Sequence, residues 1–360
     1  MLMLSSKPAK KSYSNKNASY DRSASADRWS WKYKKWDTWD FKDKDAKSPD
    51  PHTPKFKQSF VDFIVEEKLP FVLAKEGPRC YIQIEKRNLN TMDLVKQIMQ
   101  MTKLPRKKIG IAWLKDKHAL ARQWICIHTN DIIKIGDQKF MKDFQAITKV
   151  ISYGFYTQAL NLSTPIRNQF SIRLKYENAL PLGKKEQIEA KLAQIAKEWF
   201  RNYFGEQRFG YTKANHRIAQ AIIGWEKKHM ADTEKKFKLQ SLSSRLFNQY
   251  LDFRWKKCGN LDPLEWEDGV ATGPMFGDDL KSPPAWSVAA KLEDEWRKHF
   301  EVNDELLAIY KQKWIFGLRR PLRVIPQGMK HSRQGNHLLI SFSLPKSAYA
   351  SVLVEELTKE

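Results

Sequence analysis

The amino-acid sequence predicts a mixed α/β fold of the α+β class. Alternating or continuous apolar residues are typical of strands, as in FVDFIVEE at residues 60–67 and NQFSIRL at residues 168–174. Amphipathic patterns are typical of helices, and a strong one spans residues 183–202, with its apolar positions along one side: Ile188, Leu192, Ile195 and Trp199. The 360 residues, of which 41% are hydrophobic, are enough for two domains with buried cores.

The chain is strongly basic, because 64 Lys and Arg residues against 41 Asp and Glu residues give a formal net charge of +23. This charge favours a polyanionic partner, and nucleic acid is the commonest, although an anionic membrane surface is also compatible with it. No apolar stretch has transmembrane length, and the first residues carry too short an apolar run for a signal peptide. We therefore expect a cytoplasmic protein that binds nucleic acid and does not enter a membrane.

The three cysteines, Cys80, Cys126 and Cys258, are far apart and form no CxxC pair. Neither a disulfide framework nor a zinc site is indicated, so no metal is expected. All three are expected to be buried, reduced thiols.

Residues 1–55 differ in composition from the rest of the chain. They are rich in Ser, Lys, Asp and Asn, with almost no aliphatic residue after Leu4 and with four tryptophans among basic residues. Because little aliphatic surface is available to offset the entropy of ordering, this tail is predicted to be disordered. It could bind RNA by stacking and charge, act as a solubilising tail, or pack on its own domain through the tryptophans.

The elements that follow are predicted from local patterns. Residues 60–67 and 80–87 are expected to be neighbouring strands. Residues 92–101 are expected to form a helix that Asn90 or Thr91 can cap. Later in the chain, helices and strands alternate around a Gly/Pro-rich interval at 259–284, with helical patterns at about 240–256 and 286–313 and strands at 322–325 and 336–344.

A charged loop joins two apolar runs, residues 109–114 and 124–127, which we expect to be buried strands. Asp116 is the only acid in this loop, and its neighbours are cationic: Lys115, Lys117, His118 and Arg122. Such neighbours lower the pKa of a carboxylate and should keep Asp116 ionised at neutral pH. An aspartate in a lysine-rich loop is usually a solvated surface charge, but it could also be an anionic nucleophile inside an RNA-binding surface.

Two longer strings resemble the TruD family of tRNA pseudouridine synthases. LKDKHA at residues 114–119, followed by Gln123-Trp124, is similar to the family's catalytic-aspartate motif, and NYFGEQRFG at residues 202–210 is similar to its most distinctive signature. Shorter similarities occur in four further segments: a lysine before DFIVEE at 57–67, Asn-Thr at 90–91, Asn-x-Phe at 168–170 and LPKSAYAS at 344–351. The resemblance covers residues 57 to about 355.

The resemblance implies a pseudouridine-synthase-type catalytic domain with an antiparallel-rich sheet, interrupted by an α/β insertion domain peculiar to the family. The catalytic domain would comprise residues 56–199 and, after the insertion at 200–315, residues 316–360. The tail, residues 1–55, lies outside the resemblance.

The resemblance also implies site residues. Asp116 would be the catalytic acid and Lys57 its basic partner, while four residues would bind the substrate nucleotide: Phe63, Asn168, Phe170 and Tyr349. Candidate RNA contacts are Lys115, Lys117, His118 and Arg208. From the residues alone, Phe63 and Phe170 could equally be core residues of strands, and Arg208 could pair with Glu206 in a hinge instead of binding phosphate.

The implied reaction isomerises a uridine of tRNA, by resemblance the one at position thirteen, to pseudouridine. Breaking the glycosidic bond leaves an electron-poor C1′ that a carboxylate can trap or stabilise, or the same carboxylate could remove the C2′ proton. No redox change occurs, so no cofactor is expected. Two alternatives stay open, namely an RNA-binding or tRNA-chaperone protein with incidental activity, and a synthase acting on another RNA; a monomer is favoured.

Overall fold

A mixed, mostly antiparallel sheet organises the fold of this protein, which is seen in a computed structural model. The structure describes residues 53–115, 117, 119–161, 164, 166–210, 215–224, 232–262, 269–300 and 302–358. The predicted tail as far as residue 52 lies outside the described residues, and so do Asp116 and His118.

Strands occur on both sides of a long helical stretch. In the described ranges they are β1 (Phe63–Lys68), β2 (Arg79–Arg87), β3 (Gly110–Ile111), β4 (Leu120–His128), β5 (Lys149–Tyr156), β6 (Arg167–Lys175), β7 (Phe200–Arg201), β8 (Thr272–Met275), β9 (Leu318–Pro321), β10 (Arg323–Val324), β11 (Gln327–Gln334) and β12 (His337–Pro345). The α-helices are α1 (Thr91–Thr102), α2 (Thr129–Ile135), α3 (Asp137–Ile147), α4 (Leu182–Lys197), α5 (Asn215–Gly224), α6 (Asp232–Cys258), α7 (Val288–His299), α8 (Asp304–Gln312) and α9 (Ala350–Thr358).

The main sheet has the order β11-β12-β6-β1-β4-β2-β5, with β3 paired to β4. Strands β1 and β4 run parallel, and the other pairs are antiparallel. The predicted α+β class with an antiparallel-rich sheet is confirmed. The expectation that residues 80–87 lie directly beside residues 60–67 is wrong, because β4 lies between β1 and β2 and pairs with both.

Helices α1 and α3 cover the β2–β4 half of the sheet. Their apolar residues pack with those of the strands into one core cluster: Ile82, Ile84, Leu94, Val95, Ile98, Ile125, Phe140 and Phe144. Helix α1 begins as predicted, since the Asn90 side chain accepts a hydrogen bond from the Met92 amide at 3.1 Å. It ends where Lys103 adopts a left-handed conformation with φ 56°.

Between β6 and β11 the chain leaves the main sheet and builds α4 to α8 with two small two-stranded sheets, β7–β10 and β8–β9. Every residue of α6 from 241 to 251 is buried, so this helix is the core of the second part. Strands β11 and β12 then return to the edge of the main sheet beside β6. The domain boundaries at residues 200 and 315 stay a prediction.

Several element boundaries differ from expectation. The strand expected from residue 60 begins at Phe63, because Phe60–Asp62 forms a 3-10 turn in which Asp62 accepts a hydrogen bond from the Ser59 amide at 3.0 Å. The helix expected at 183–202 ends at Lys197, before β7. The pattern at 286–313 forms two helices, and the runs at 109–114 and 322–325 contribute strands of only two residues.

The cysteine prediction is correct for two residues. Cys80 and Cys126 are buried, and burial raises the pKa of the Cys80 thiol to about 12. Cys258 is exposed, because it is the last residue of α6 and lies beyond its buried stretch. Within the described ranges, no helix combines the length and apolarity needed to span a bilayer.

Candidate active site

A cleft of about 800 Å³ is lined on one side by residues of the main sheet and on the other by residues of α6 and of the segments packed around it. It collects predicted site residues from six separate segments: Lys57, Phe63, Lys115, Asn168, Phe170, Arg208 and Tyr349. Of the other three, Asp116 and His118 lie outside the described residues, and Lys117 is exposed and does not line the cleft. Leu114 and Lys115, which precede Asp116 in the chain, both line it.

Strand pairing brings the β1 and β6 residues together. Alternate residues of β1 face the cleft, and the antiparallel register places Val65 opposite Phe170 and Glu67 opposite Asn168. The rings of Phe63 and Phe170 lie 5.8 Å apart between centroids. Both phenylalanines are nearly buried, at 4% and 6% exposure, so they form the floor of the cleft and belong to the core as well.

Lys115 is held from inside the protein. Its ammonium group lies 2.7 Å from Oε1 of the fully buried Glu67 and donates a hydrogen bond to Oδ1 of Asn168 at 2.9 Å. Glu67 also accepts the backbone N–H of Trp124 at 2.8 Å. Its charge is thus paired with a buried carboxylate, and a contact of Lys115 with RNA stays a prediction.

The backbone of Lys115 is also fixed. Its amide donates to the Thr91 hydroxyl oxygen at 2.9 Å, and its carbonyl accepts from Nζ of the buried Lys86 at 3.3 Å. Thr91 in turn donates to Gln123 Oε1 at 3.0 Å. The segment KRNLNT thus anchors the residue that precedes Asp116.

Lys57 reaches the cleft from the segment before β1. Its backbone is left-handed, with φ 60°, and its Nζ lies 4.1 Å from the centroid of the Phe63 ring. Two flanking contacts hold this segment on β6. The backbone of Lys55 pairs with that of Lys175 at 2.8 and 2.9 Å, and the buried Asp62 accepts from Nζ of Lys175 at 2.6 Å.

The string at 202–210 joins the sheet to α6. Asn248, buried on α6, accepts from the Phe204 amide at 2.8 Å and donates to the Phe204 carbonyl at 3.0 Å. Gly205 lies very close to the start of α9. A Cβ on Gly205 would lie 3.1 Å from Cδ1 of Tyr349 and 2.9 Å from Oγ of Ser351. Tyr349 is thereby placed with its ring 5.8 Å from that of Phe204.

Two arginines line the same region. Arg208 donates from Nε to the Ser244 hydroxyl at 2.9 Å, and Arg320 donates from Nη2 to Asn202 Oδ1 at 2.8 Å and to the Ser347 carbonyl at 3.1 Å. The guanidinium group of Arg320 lies 3.9 Å from the Phe204 ring centroid. Burial lowers the pKa of Arg320 to about 10 and also lowers the pKa of Arg208, because loss of contact with water disfavours the charged form of each side chain.

The sequence interpretation assigned no site role to Glu67 or Arg320. Strand alternation could have identified Glu67, because it shares the face of Phe63 and Val65 in DFIVEE. No local signal distinguishes Arg320 from Arg319, since only the tertiary contacts show that Arg319 pairs with Glu293 at 2.6 Å and Arg320 faces the cleft.

Comparison with known proteins gives consistent relatives. A family model described as tRNA pseudouridine synthase D (TruD) matches residues 47–233. The chain is 32% identical over 346 residues to tRNA pseudouridine synthase D of Sulfurimonas denitrificans, covering 84% of this chain and 95% of the relative. It is 29% identical over 323 residues to tRNA pseudouridine synthase D of Thermus thermophilus, covering 83% and 86%.

A solved structure is similar in fold. The crystal structure of the putative tRNA pseudouridine synthase D (TruD) from Methanosarcina mazei superposes with a TM-score of 0.61. The match covers 86% of this chain and 94% of the other, at 19% sequence identity. At that identity the likeness is evidence for the fold alone.

Proposed function

The chain belongs to the TruD family of tRNA pseudouridine synthases, which are isomerases, and we propose that it converts the uridine at position thirteen of tRNA to pseudouridine, using Asp116. The observation that carries the assignment of Asp116 is the anchoring of the residue before it. Lys115 is fixed in the cleft through its side chain, its amide and its carbonyl. Such anchoring positions the start of the loop, as a catalytic group requires.

Asp116 would act on the sugar of the target nucleotide. It would attack C1′ as the glycosidic bond breaks, or it would remove the proton from C2′. In either case the uracil turns and C5 bonds to C1′, which releases the carboxylate from C1′ or is followed by return of the proton to C2′. C5 then loses its proton and N1 gains one, so the reaction has no net loss or gain of atoms. We propose that Lys57 supplies the nearby positive charge that keeps the carboxylate ionised.

The target uridine must leave its stack in the RNA, at a cost of roughly a few kcal/mol. We propose that the rings of Phe63, Phe170 and Tyr349 in the cleft stack on the uracil and so replace the stacking that it loses. Asn168 would hold the nucleotide by its amide. Because its Oδ1 already accepts from Lys115, its Nδ2 would donate to a uracil carbonyl or a 2′-hydroxyl.

Replacing Tyr349 by leucine is expected to weaken tRNA binding by about 1–3 kcal/mol, because an aliphatic side chain cannot replace the lost base stacking. Tyr349→Phe, which keeps the ring beside Phe204, should bind almost as well as the unaltered protein. The measurement is the Kd for unmodified tRNA. Equal losses in the two variants would show that the ring is not used for stacking.

The proposed reaction is tested by mapping pseudouridine in tRNA from cells with and without the gene. We expect the modification at position thirteen to disappear without the gene and to return with a plasmid copy. Purified protein should form it on unmodified tRNA without added metal or cofactor. If the modification map is the same in both cells and the purified protein forms no product, the proposed function is wrong.

The net charge of +23 suits a tRNA partner, whose phosphates it would neutralise, so binding should weaken as salt rises. We further propose that the protein works as a monomer in the cytoplasm.

A further inference from the structure

We propose that Arg208 and Arg320 together bind one phosphate group of the RNA backbone beside the target nucleotide. The inference rests on the proposed function, since the phosphate belongs to the same substrate.

Among the residues that the structure describes, no acid compensates the charge of either guanidinium group. In the described part of the chain, neither forms an ion pair, whereas nearby arginines do: Arg201 pairs with Glu356 at 2.7 Å and Arg319 with Glu293 at 2.6 Å. Arg320 is only 5% exposed, and Glu293 pairs with Arg319, the residue before it in the chain. A buried cation without a counter-ion is costly, and a guanidinium cannot reduce that cost by losing its proton near neutral pH.

The two charges also lie close to each other. Both face the ring of Phe204, whose centroid is 5.7 Å from the Arg208 guanidinium and 3.9 Å from that of Arg320. Proximity of Arg208 adds to the effect of burial in lowering the pKa of Arg320. Two like charges held around one ring are stabilised when an anion binds between or beside them.

Donor groups are left over for that anion. Arg208 uses Nε for Ser244, and among the described residues its two terminal amino groups donate to no acceptor. Arg320 directs Nη2 to neutral oxygens of Asn202 and Ser347, while its other terminal amino group, Nη1, donates to no acceptor in the described ranges. Guanidinium groups match phosphate geometry with paired N–H donors, so these groups suit a phosphodiester.

The position of the pair favours a phosphate near the reacting nucleotide. Both arginines line the cleft that also holds Asn168, Phe170 and Tyr349. A phosphate bound there would fix the backbone while the base is turned out of its stack.

The test couples a protein variant to a change in one phosphate. Arg208→Gln removes one charge from the cleft, and Arg297→Gln removes one charge from α7, away from the cleft, as the matched control. In a series of tRNA hairpins, one phosphate near the target nucleotide is replaced by a methylphosphonate, at a different position in each hairpin. The reference hairpin has the same 2′-deoxynucleotide with an ordinary phosphate. Binding is measured from low to high salt.

We expect Arg208→Gln to weaken binding about 10-fold and to lower the salt slope by about 0.7–0.9, the value for one lost phosphate contact. One methylphosphonate should weaken binding to the unaltered protein and to Arg297→Gln similarly, but add little to the loss in Arg208→Gln. Arg320→Lys keeps the charge but loses the paired N–H donors of the guanidinium group. Its binding should therefore be weakened less by that same methylphosphonate. Cooperative thermal unfolding is the check that this variant is folded.

If every methylphosphonate weakens binding by the same factor in Arg208→Gln as in the unaltered protein, the proposed phosphate site is wrong. Pseudouridine formation by the unaltered protein on the reference hairpin is assayed in parallel. Product formation without coupling overturns the phosphate site alone, whereas absence of product overturns the proposed function and this inference with it.

Discussion

Replacement of Asp116 by asparagine is expected to reduce pseudouridine formation by about 10³-fold or more, while tRNA binding is retained. Asparagine has nearly the same shape as aspartate but carries no charge, so it can neither attack C1′ nor remove a proton from C2′. Binding should persist because affinity comes from many phosphate contacts and from aromatic stacking elsewhere in the cleft. The measurements are the single-turnover rate of product formation and the Kd for the same tRNA.

The control for Asp116→Asn is Asp304→Asn, which removes the same charge from a fully exposed residue on α8. Its rate should match that of the unaltered protein. A substantial rate in Asp116→Asn would show that another group performs the chemistry. If both the variant and the unaltered protein remodel tRNA equally but form no product, the chain functions as an RNA-binding or chaperone protein.

Lys115→Met is expected to destabilise the protein by about 3–5 kcal/mol, because it leaves the carboxylate of Glu67 buried without its counter-ion. The same change removes the hydrogen bond to Asn168 and loosens the start of the Asp116 loop. Activity should therefore fall along with stability. The free energy of unfolding is measured by denaturant titration, and the rate is measured at a temperature where the variant remains folded.

A second substitution separates charge from positioning. In the double variant Lys115→Met with Glu67→Gln the uncompensated charge is gone, so much of the stability should return, whereas activity should stay low because Asn168 still lacks its donor. Lys139→Met breaks an exposed ion pair with Asp143 and should cost less than about 1 kcal/mol. A double variant less stable than Lys115→Met would contradict this account of the buried pair.

Elements whose pattern is set locally were predicted well. Strand β6 alternates between buried and mostly half-buried positions, and α1 has an apolar stripe with Asn90 as its cap, so periodicity and capping chemistry identify both. Strand β11, QGMKHSRQ, was missed because it is an edge strand with mostly exposed polar residues and has no apolar alternation. Helices α2 and α3 were missed in the interval between β4 and β5, although they cover the core of the sheet.

The sequence by itself determined the class of fold, the family and several of the segments that line the cleft, because these depend on residue patterns within continuous strings. Only the tertiary structure decided that β4 lies between β1 and β2, since strand pairing joins residues distant in the chain. It also decided the roles of the charged residues. Among the described residues, Lys115 is paired with a buried acid and Arg320 is not, and that difference depends on which carboxylates the fold brings within reach of each cation.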